Sequence, residues 1–237
     1  MDAEHGRVSV KVFSIVGIRK SGKTSTVTAL VQAMRARGKR VGTCKTVFCP
    51  AFSIDQPGSN TARHASAGAQ LVCARAKHET ALIYPQALPL SRVLALYEGF
   101  DYVLLEGDYL APVPRFVAAH AEADALPRRN ELTIGFVGRV SRKPEIDLPL
   151  PRFDALTDAD ALLDFIDAHV PDIAPSPTLD EPLPPVESVT DDGFCQCGCH
   201  HHQKKQDEVQ VTVGGKALVL TDEQRALLLS WAAEARA

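Results

Sequence analysis

Between residues 8 and 170 the chain alternates short apolar runs with segments whose apolar positions recur at helical spacing. Six runs read as strands: VKVFSIV (10–16), KRVGTCK (39–45), AQLVCAR (69–75), TALIY (80–84), DYVLLEG (101–107) and LTIGFVG (132–138). Their Val, Ile, Leu and Phe content is nearly continuous, as expected of strands covered on both sheet faces. A largely parallel sheet is predicted. After the first run, Val27, Leu30, Val31 and Met34 follow the i, i+3, i+4, i+7 pattern of a helix, and Gly38 stands where it could stop. A second helix is predicted at DADALLDFIDAHV (158–170), with Leu162, Phe165, Ile166 and His169 on one face and Thr157 available as its N-cap. A lone histidine on such a face is more often packed and hydrogen-bonded than a ligand, and His169 is read that way.

Past residue 170 the pattern changes. Pro171, Pro175, Pro177, Pro182, Pro184 and Pro185 remove backbone donors and favour extended conformers, so residues 171–193 read as a linker. VQVTV and KALVL flank Gly214 and Gly215, a two-residue hairpin signal that sets Val211 against Leu218 and Val209 against Leu220. The last segment, TDEQRALLLSWAAEARA, opens on a capping-box pattern at Thr221 and Gln224 and reads as a helix. Such a ββα tail buries little core alone and is expected to dock on something larger. The organisation that follows is an α/β nucleotide-binding domain (1–170) with a mostly parallel sheet flanked by helices, the linker, and a tail (194–237). No internal repeat is visible.

A formal net charge of −3 over 237 residues gives no basic field of the kind that neutralises many phosphates, which argues against nucleic acid. The acidic N-terminus has no signal-like pattern and no later stretch holds about 18 uninterrupted apolar residues, so a cytoplasmic protein without a membrane span is expected. Six cysteines occur, three scattered (Cys44, Cys49, Cys73) and three crowded (Cys195, Cys197, Cys199). Alternating neighbours bridge one another badly, so free thiols or metal ligands fit better than disulfides.

The chemistry concentrates after the first strand. GIRKSGKT (17–24) satisfies GxxxxGK[ST], with a strand before it and a helix after it. In such a P-loop, glycine permits the backbone to turn successive N–H groups inward and the helix start adds partial positive charge. Gly17, Arg19, Lys20, Ser21, Gly22, Lys23, Thr24 and Ser25 are the candidate nucleotide-binding residues, with Lys23 reaching the β- and γ-phosphates and the Thr24 hydroxyl binding Mg²⁺. Arg19 and Lys20 either screen the γ-phosphate or face water. Phosphoryl chemistry also needs a carboxylate near the magnesium, and Glu106, at the end of DYVLLEG, supplies one, with Asp108 as a second candidate. No NKxD or TKxD element follows the last strand, where RKPEID stands instead, so the pattern leaves the base unread.

The order GIRKSGKT, an approach to a strand ending in Lys45, the loop DQPGSNTARHASAGA (55–69), LLEG and a nearby Val-Pro-Arg (113–115) resembles the molybdopterin-guanine dinucleotide biosynthesis protein B family, MobB. The resemblance implies a P-loop fold and a GTP-binding adaptor with weak GTPase activity. It also implies a homodimer that works beside the guanylyltransferase of the molybdopterin cofactor and the maturation machinery of molybdoenzymes. On matching positions Gly22, Lys23 and Thr24 would hold phosphates and magnesium, and Asp55 and Glu106 would be the acidic partners near the metal. Two departures stand out: KTVFCP lacks the histidines that follow the second strand in many members, and the phosphate loop is more basic than theirs.

FCQCGCHHHQKK packs Cys195, Cys197, Cys199 and His200 to His202 into eight positions, donors preferred by zinc, copper(I) or nickel. The spacing lacks the paired CxxC knuckles of a closed structural zinc site. This cluster supports a rival reading, a metal-inserting GTPase that uses the tail to carry zinc or nickel. A plain kinase or ligase would need an acceptor-binding segment that the sequence does not display.

Overall fold

A computed structural model describes residues 9–49, 52–180, 211–213 and 216–218. The chain divides into two units, Met1–Phe48 with Ser53–Glu187 and Cys49–Phe52 with Ser188–Ala237. The larger unit contains β1 (Val10–Gly17), α1 (Lys23–Ala36), β2 (Val41–Lys45), α2 (Asn60–Ser66), β3 (Val72–Arg75), β4 (Thr80–Ile83), α3 (Leu90–Ala95), β5 (Tyr102–Glu106), β6 (Arg115–Ala118), α4 (Glu122–Ala125), β7 (Thr133–Val137), β8 (Arg152–Phe153), α5 (Ala159–His169) and β9 (Asp172–Ile173). In the smaller unit, β10 (Val211–Val213) and β11 (Lys216–Leu218) form an antiparallel hairpin with Val211 opposite Leu218, the register expected around the glycine pair. Val209, Leu220, the C-terminal helix and the Cys195–His200 cluster lie outside the described residues.

The main sheet has seven strands in the order β2-β5-β1-β6-β7-β8, all parallel, with β9 antiparallel on the start of β1. Alternation along each strand sorts its side chains onto two faces. Phe13, Ile15, Tyr102, Leu104, Phe116, Ala118 and Val137 meet Leu30 and Met34 of α1 and Leu162, Leu163 and Ile166 of α5 on one face. The alternate residues Val12, Val103 and Leu105 pack with Leu94 of α3 and Leu179, while Val16, Val117 and Phe136 pack with Ala125 of α4. Both faces are covered, which explains the unbroken apolar runs.

Three differences from the sequence reading have physical reasons. The runs at 69–75 and 80–84 do not join the parallel sheet: β3 and β4 pair with each other as a separate antiparallel ribbon that leaves Leu71 and Leu82 exposed. β6, which lies beside β1, escapes the pattern because it is four residues long and follows a proline. The N-cap of α5 is Asp158 rather than Thr157; its carboxylate accepts the Ala161 N–H at 2.9 Å. His169 is hydrogen-bonded to the Phe165 carbonyl at 2.8 Å and stacks on the Phe165 ring at 3.9 Å. The start of the proline-rich stretch is stitched to the sheet by β9, and Leu179 is buried.

Helix α1 closes as its sequence implies. Gly38 has φ 74°, its N–H reaches the Arg35 carbonyl, and the Lys39 N–H reaches Met34, the paired bonds of a left-handed helix stop.

Candidate functional site

The parallel arrangement carries the ends of β1, β2, β5, β6 and β7 to one edge of the sheet, the edge where open α/β folds bind ligands. β1 ends at Gly17, where an added Cβ would lie 1.9 Å from the Ala118 carbonyl oxygen, so the chain passes β6 only as glycine. The loop then turns through Lys20, at φ 59°, to Gly22, the N-cap of α1, at φ 104°. No side chain caps α1 and its first turn carries no acid, which leaves its leading N–H groups to an anion. A Cβ on Gly22 would crowd Gly138 Cα at 3.1 Å, and the Arg139 N–H donates to the Ser21 carbonyl at 3.0 Å. The segment after β7 therefore buttresses the phosphate loop from behind.

Lys23 stands at the centre. Its ammonium donates to the Gly17 carbonyl at 2.9 Å and the Ile18 carbonyl at 2.6 Å, folding back over the loop. Burial pushes its pKa below the ordinary lysine value, Glu106 pulls the other way, and Lys45 and Arg128 add to the depression. A phosphate chain would supply the negative charge this cation lacks. Thr24 Oγ1 donates to Glu106 Oε1 at 2.8 Å, and Lys45 Nζ donates to the same oxygen at 2.8 Å. The register produces this meeting: Glu106 lies level with Ile15 on β1 and with Lys45 on β2. Glu106 is 7% exposed, so the hydroxyl and ammonium take the place of bulk water at this oxygen. The hydroxyl and carboxylate form a hard-oxygen donor pair of the type magnesium takes beside phosphates.

The remaining residues divide. Ser21 is fully buried and its hydroxyl has no partner among the described residues. Arg19, Lys20, Thr24 and Ser25 are exposed along the loop and first helical turn, and the Arg19 carbonyl lies 3.2 Å from His120 Nε2. Asp108 is not at the metal pair: its carboxylate accepts the Leu110 and Ala111 N–H groups and the Thr46 hydroxyl. Asp55 is committed to its own loop, where Oδ1 accepts from Gln56 N–H at 2.8 Å, Ser59 Oγ at 2.8 Å and Thr61 Oγ1 at 3.0 Å. Those hydroxyls, Thr61 first, hold its carboxyl below the usual carboxylate range. The structure thus brings Lys23, Thr24 and Glu106 together and leaves Asp55 in a turn that starts α2.

Local sequence signals gave no site role to Lys45, Tyr109 or the Gly138–Arg139 buttress, since register and a crossing between distant strands place them. A separate groove of about 560 Å³, lined by Ala121, Glu122, Ala123, Leu126, Pro127 and Ile146, includes no phosphate-loop residue. Among the described residues no group of three or more His, Cys, Asp or Glu is arranged to hold a metal ion, and no helix is long and apolar enough to cross a membrane.

Residues 12–137, a little over half of the chain, match the family model described as molybdopterin guanine dinucleotide synthesis protein B. The fold is similar to the crystal structure of Bacillus subtilis MobB, with a TM-score of 0.53 and 22% identity over 68% of this chain and 98% of that one. It is also similar to a MobB homologue from Bacillus stearothermophilus, with a TM-score of 0.50 and 24% identity over 67% and 99% of the two chains. At these identities the likeness speaks for the fold. No curated protein matches the chain significantly.

Proposed function

The chain belongs to the molybdopterin guanine dinucleotide synthesis protein B family, and we propose from that premise that it is a GTP-binding adaptor with weak GTPase activity. Membership gives it a role in molybdenum cofactor biosynthesis. The finer reading is that GTP binding assists formation or delivery of the guanine dinucleotide form of the cofactor, beside the guanylyltransferase and the maturation machinery of molybdoenzymes.

The observation that carries the reading is the Thr24–Glu106–Lys45 cluster seated under an uncapped helix start, with the Lys23 ammonium resting on the loop's own carbonyls. Each of these groups has work to do when a triphosphate arrives. The N–H groups at the start of α1 receive phosphate oxygens, and Lys23 exchanges two carbonyl partners for anionic ones, a stronger class of hydrogen bond. Thr24 and Glu106 would hold magnesium, which when bound neutralises charge on the β- and γ-phosphates. Lys45 donates to the same Glu106 oxygen and keeps it aimed at the hydroxyl. Asp55 joins this set only if its loop moves, which fits the ordering of a segment by a γ-phosphate.

The homodimer is part of the same reading. A two-stranded ribbon is marginal by itself, and β3–β4 shows Leu71 and Leu82 at 45% and 52% exposure beside α2, a helix with no buried side chain. A second copy is the proposed cover.

Titration of Mg²⁺-GTP into the wild-type protein and Lys23→Ala tests the nucleotide reading. Saturable binding that disappears in the variant is expected. Equal affinity in both proteins would refute the phosphate assignment.

A further inference from the structure

The connection from β5 to β6, which crosses β1, is tied down more firmly than such a crossing requires. Arg115 is 4% exposed, yet its guanidinium reaches two backbone oxygens of this connection, Nη1 to Tyr109 O at 2.9 Å and Nη2 to Ala111 O at 2.9 Å, while Nε has no partner among the described residues. Burying a guanidinium without a bonded carboxylate is costly. Asp108 adds a second set of ties: Oδ1 accepts from the Leu110 and Ala111 N–H groups, Oδ2 accepts from Thr46 Oγ1, and its carbonyl accepts from Ser14 Oγ at 2.7 Å. Residues 107–111 are therefore a preorganised strap, locked to β1 and to the residue that follows β2.

What the strap presents is Tyr109. Its phenol oxygen accepts the Gly17 N–H at 2.8 Å, on the first residue of the phosphate loop. The carbonyl of that same residue holds the Lys23 ammonium. The residue is 37% exposed, and the phenol's own proton has no acceptor among the described residues. The phenol and the Lys23 ammonium thus meet at Gly17, the start of the loop, while Glu106, three residues before Tyr109, holds Thr24 at its other end.

Resting on the nucleotide reading above, we propose that Tyr109 is a terminal-phosphate sensor: its hydroxyl donates to a γ-phosphate oxygen, with Asp108 and Arg115 acting as positioning residues. A diphosphate has no oxygen there. The hydroxyl thus discriminates triphosphate from diphosphate and links that difference to the strap, and through Thr46 to the end of β2.

The test measures affinities of the full chain for Mg²⁺-GDP and for the β,γ-imido analogue of GTP by calorimetry, in wild type and Tyr109→Phe. Loss of a hydrogen bond to a charged oxygen predicts about tenfold weaker binding of the triphosphate analogue. GDP affinity should stay within about twofold, so the ratio of the two affinities falls by the same factor. The Gly17 N–H loses its acceptor in both complexes, so a merely structural role would weaken both ligands equally; that result, or an unchanged ratio, overturns the proposal. Wild-type protein that binds neither nucleotide would remove the nucleotide reading and the proposal together, an outcome distinct from the other two.

Discussion

Glu106→Gln separates the stability of the site from its work. The carboxylate is 7% exposed and one oxygen receives both the Thr24 hydroxyl and the Lys45 ammonium at 2.8 Å. Glutamine keeps the volume and an acceptor at the same place, so no cavity forms. What changes is charge: the Thr24 bond falls from about 1.5–3 kcal/mol to an ordinary one of about 0.5–1.5 kcal/mol, while the Lys45 bond keeps its ionised donor and loses only the ion-pair attraction. The Lys45 side chain is 64% exposed, so solvent screens its half, and an exposed pair of this kind contributes about 1 kcal/mol at most. Against this loss, the variant no longer holds a nearly buried charge. The opposing effects leave a net cost near 1 kcal/mol, a shift of about 2–4 °C in the melting temperature of a chain this size. Magnesium, by contrast, loses its only anionic partner in the cluster. A loss of about 1.5–3 kcal/mol there means a fall of about 10- to 150-fold in Mg²⁺-dependent GTP turnover. The assays are thermal denaturation of the nucleotide-free protein and steady-state phosphate release across a magnesium titration. Wild-type magnesium dependence in the variant would refute the assignment of Glu106. A collapse of the fold would refute the charge balance.

Other outcomes follow from the same geometry. Burial depresses the Lys23 pKa, so between that value and the unfolded lysine value of about 10.4 the folded protein binds fewer protons than the unfolded chain, and stability rises with pH through that window. A phosphate chain restores the charge, so GTP binding at alkaline pH should take up protons, read by calorimetry in two buffers of different ionisation enthalpy; proton release would contradict the lysine–phosphate contact. Asp55→Asn retains the oxygen that accepts from Gln56, Ser59 and Thr61, so hydrogen exchange across residues 55–61 should stay near wild type while Mg²⁺-dependent turnover falls several-fold; unchanged turnover would confine Asp55 to its turn. Leu82→Glu places a charge on the exposed ribbon face and should convert a sedimenting dimer to monomer without loss of the main core; a dimer of undiminished affinity would move the interface elsewhere.

The sequence by itself determined what local chemistry can encode. Continuous apolar runs predicted a covered parallel sheet, Gly38 stopped α1, and GIRKSGKT identified the loop whose backbone must turn where side chains do not fit. Glu106 was legible as the carboxylate that closes a hydrophobic strand, and the structure sets it against Thr24. The DQPGSNTARHASAGA loop and its neighbours identified the family. Tertiary structure alone decided which of these groups meet. Lys45 reaches Glu106 because β2 and β5 pair in register, a match between residues 61 positions apart that leaves no periodic trace. The runs at 69–75 and 80–84 have the composition of sheet strands, yet the short turn between them lets them satisfy each other's backbone, so they leave the sheet as a ribbon. Asp55 carries the motif's acid, but three donors from the adjoining turn claim it first. Arg115 and Tyr109 acquire their places from a strap closed by long-range bonds. Local spacing fixes which groups a segment offers; distance across the fold fixes which of them can act on one ligand, because that depends on register and burial contributed by distant parts of the chain.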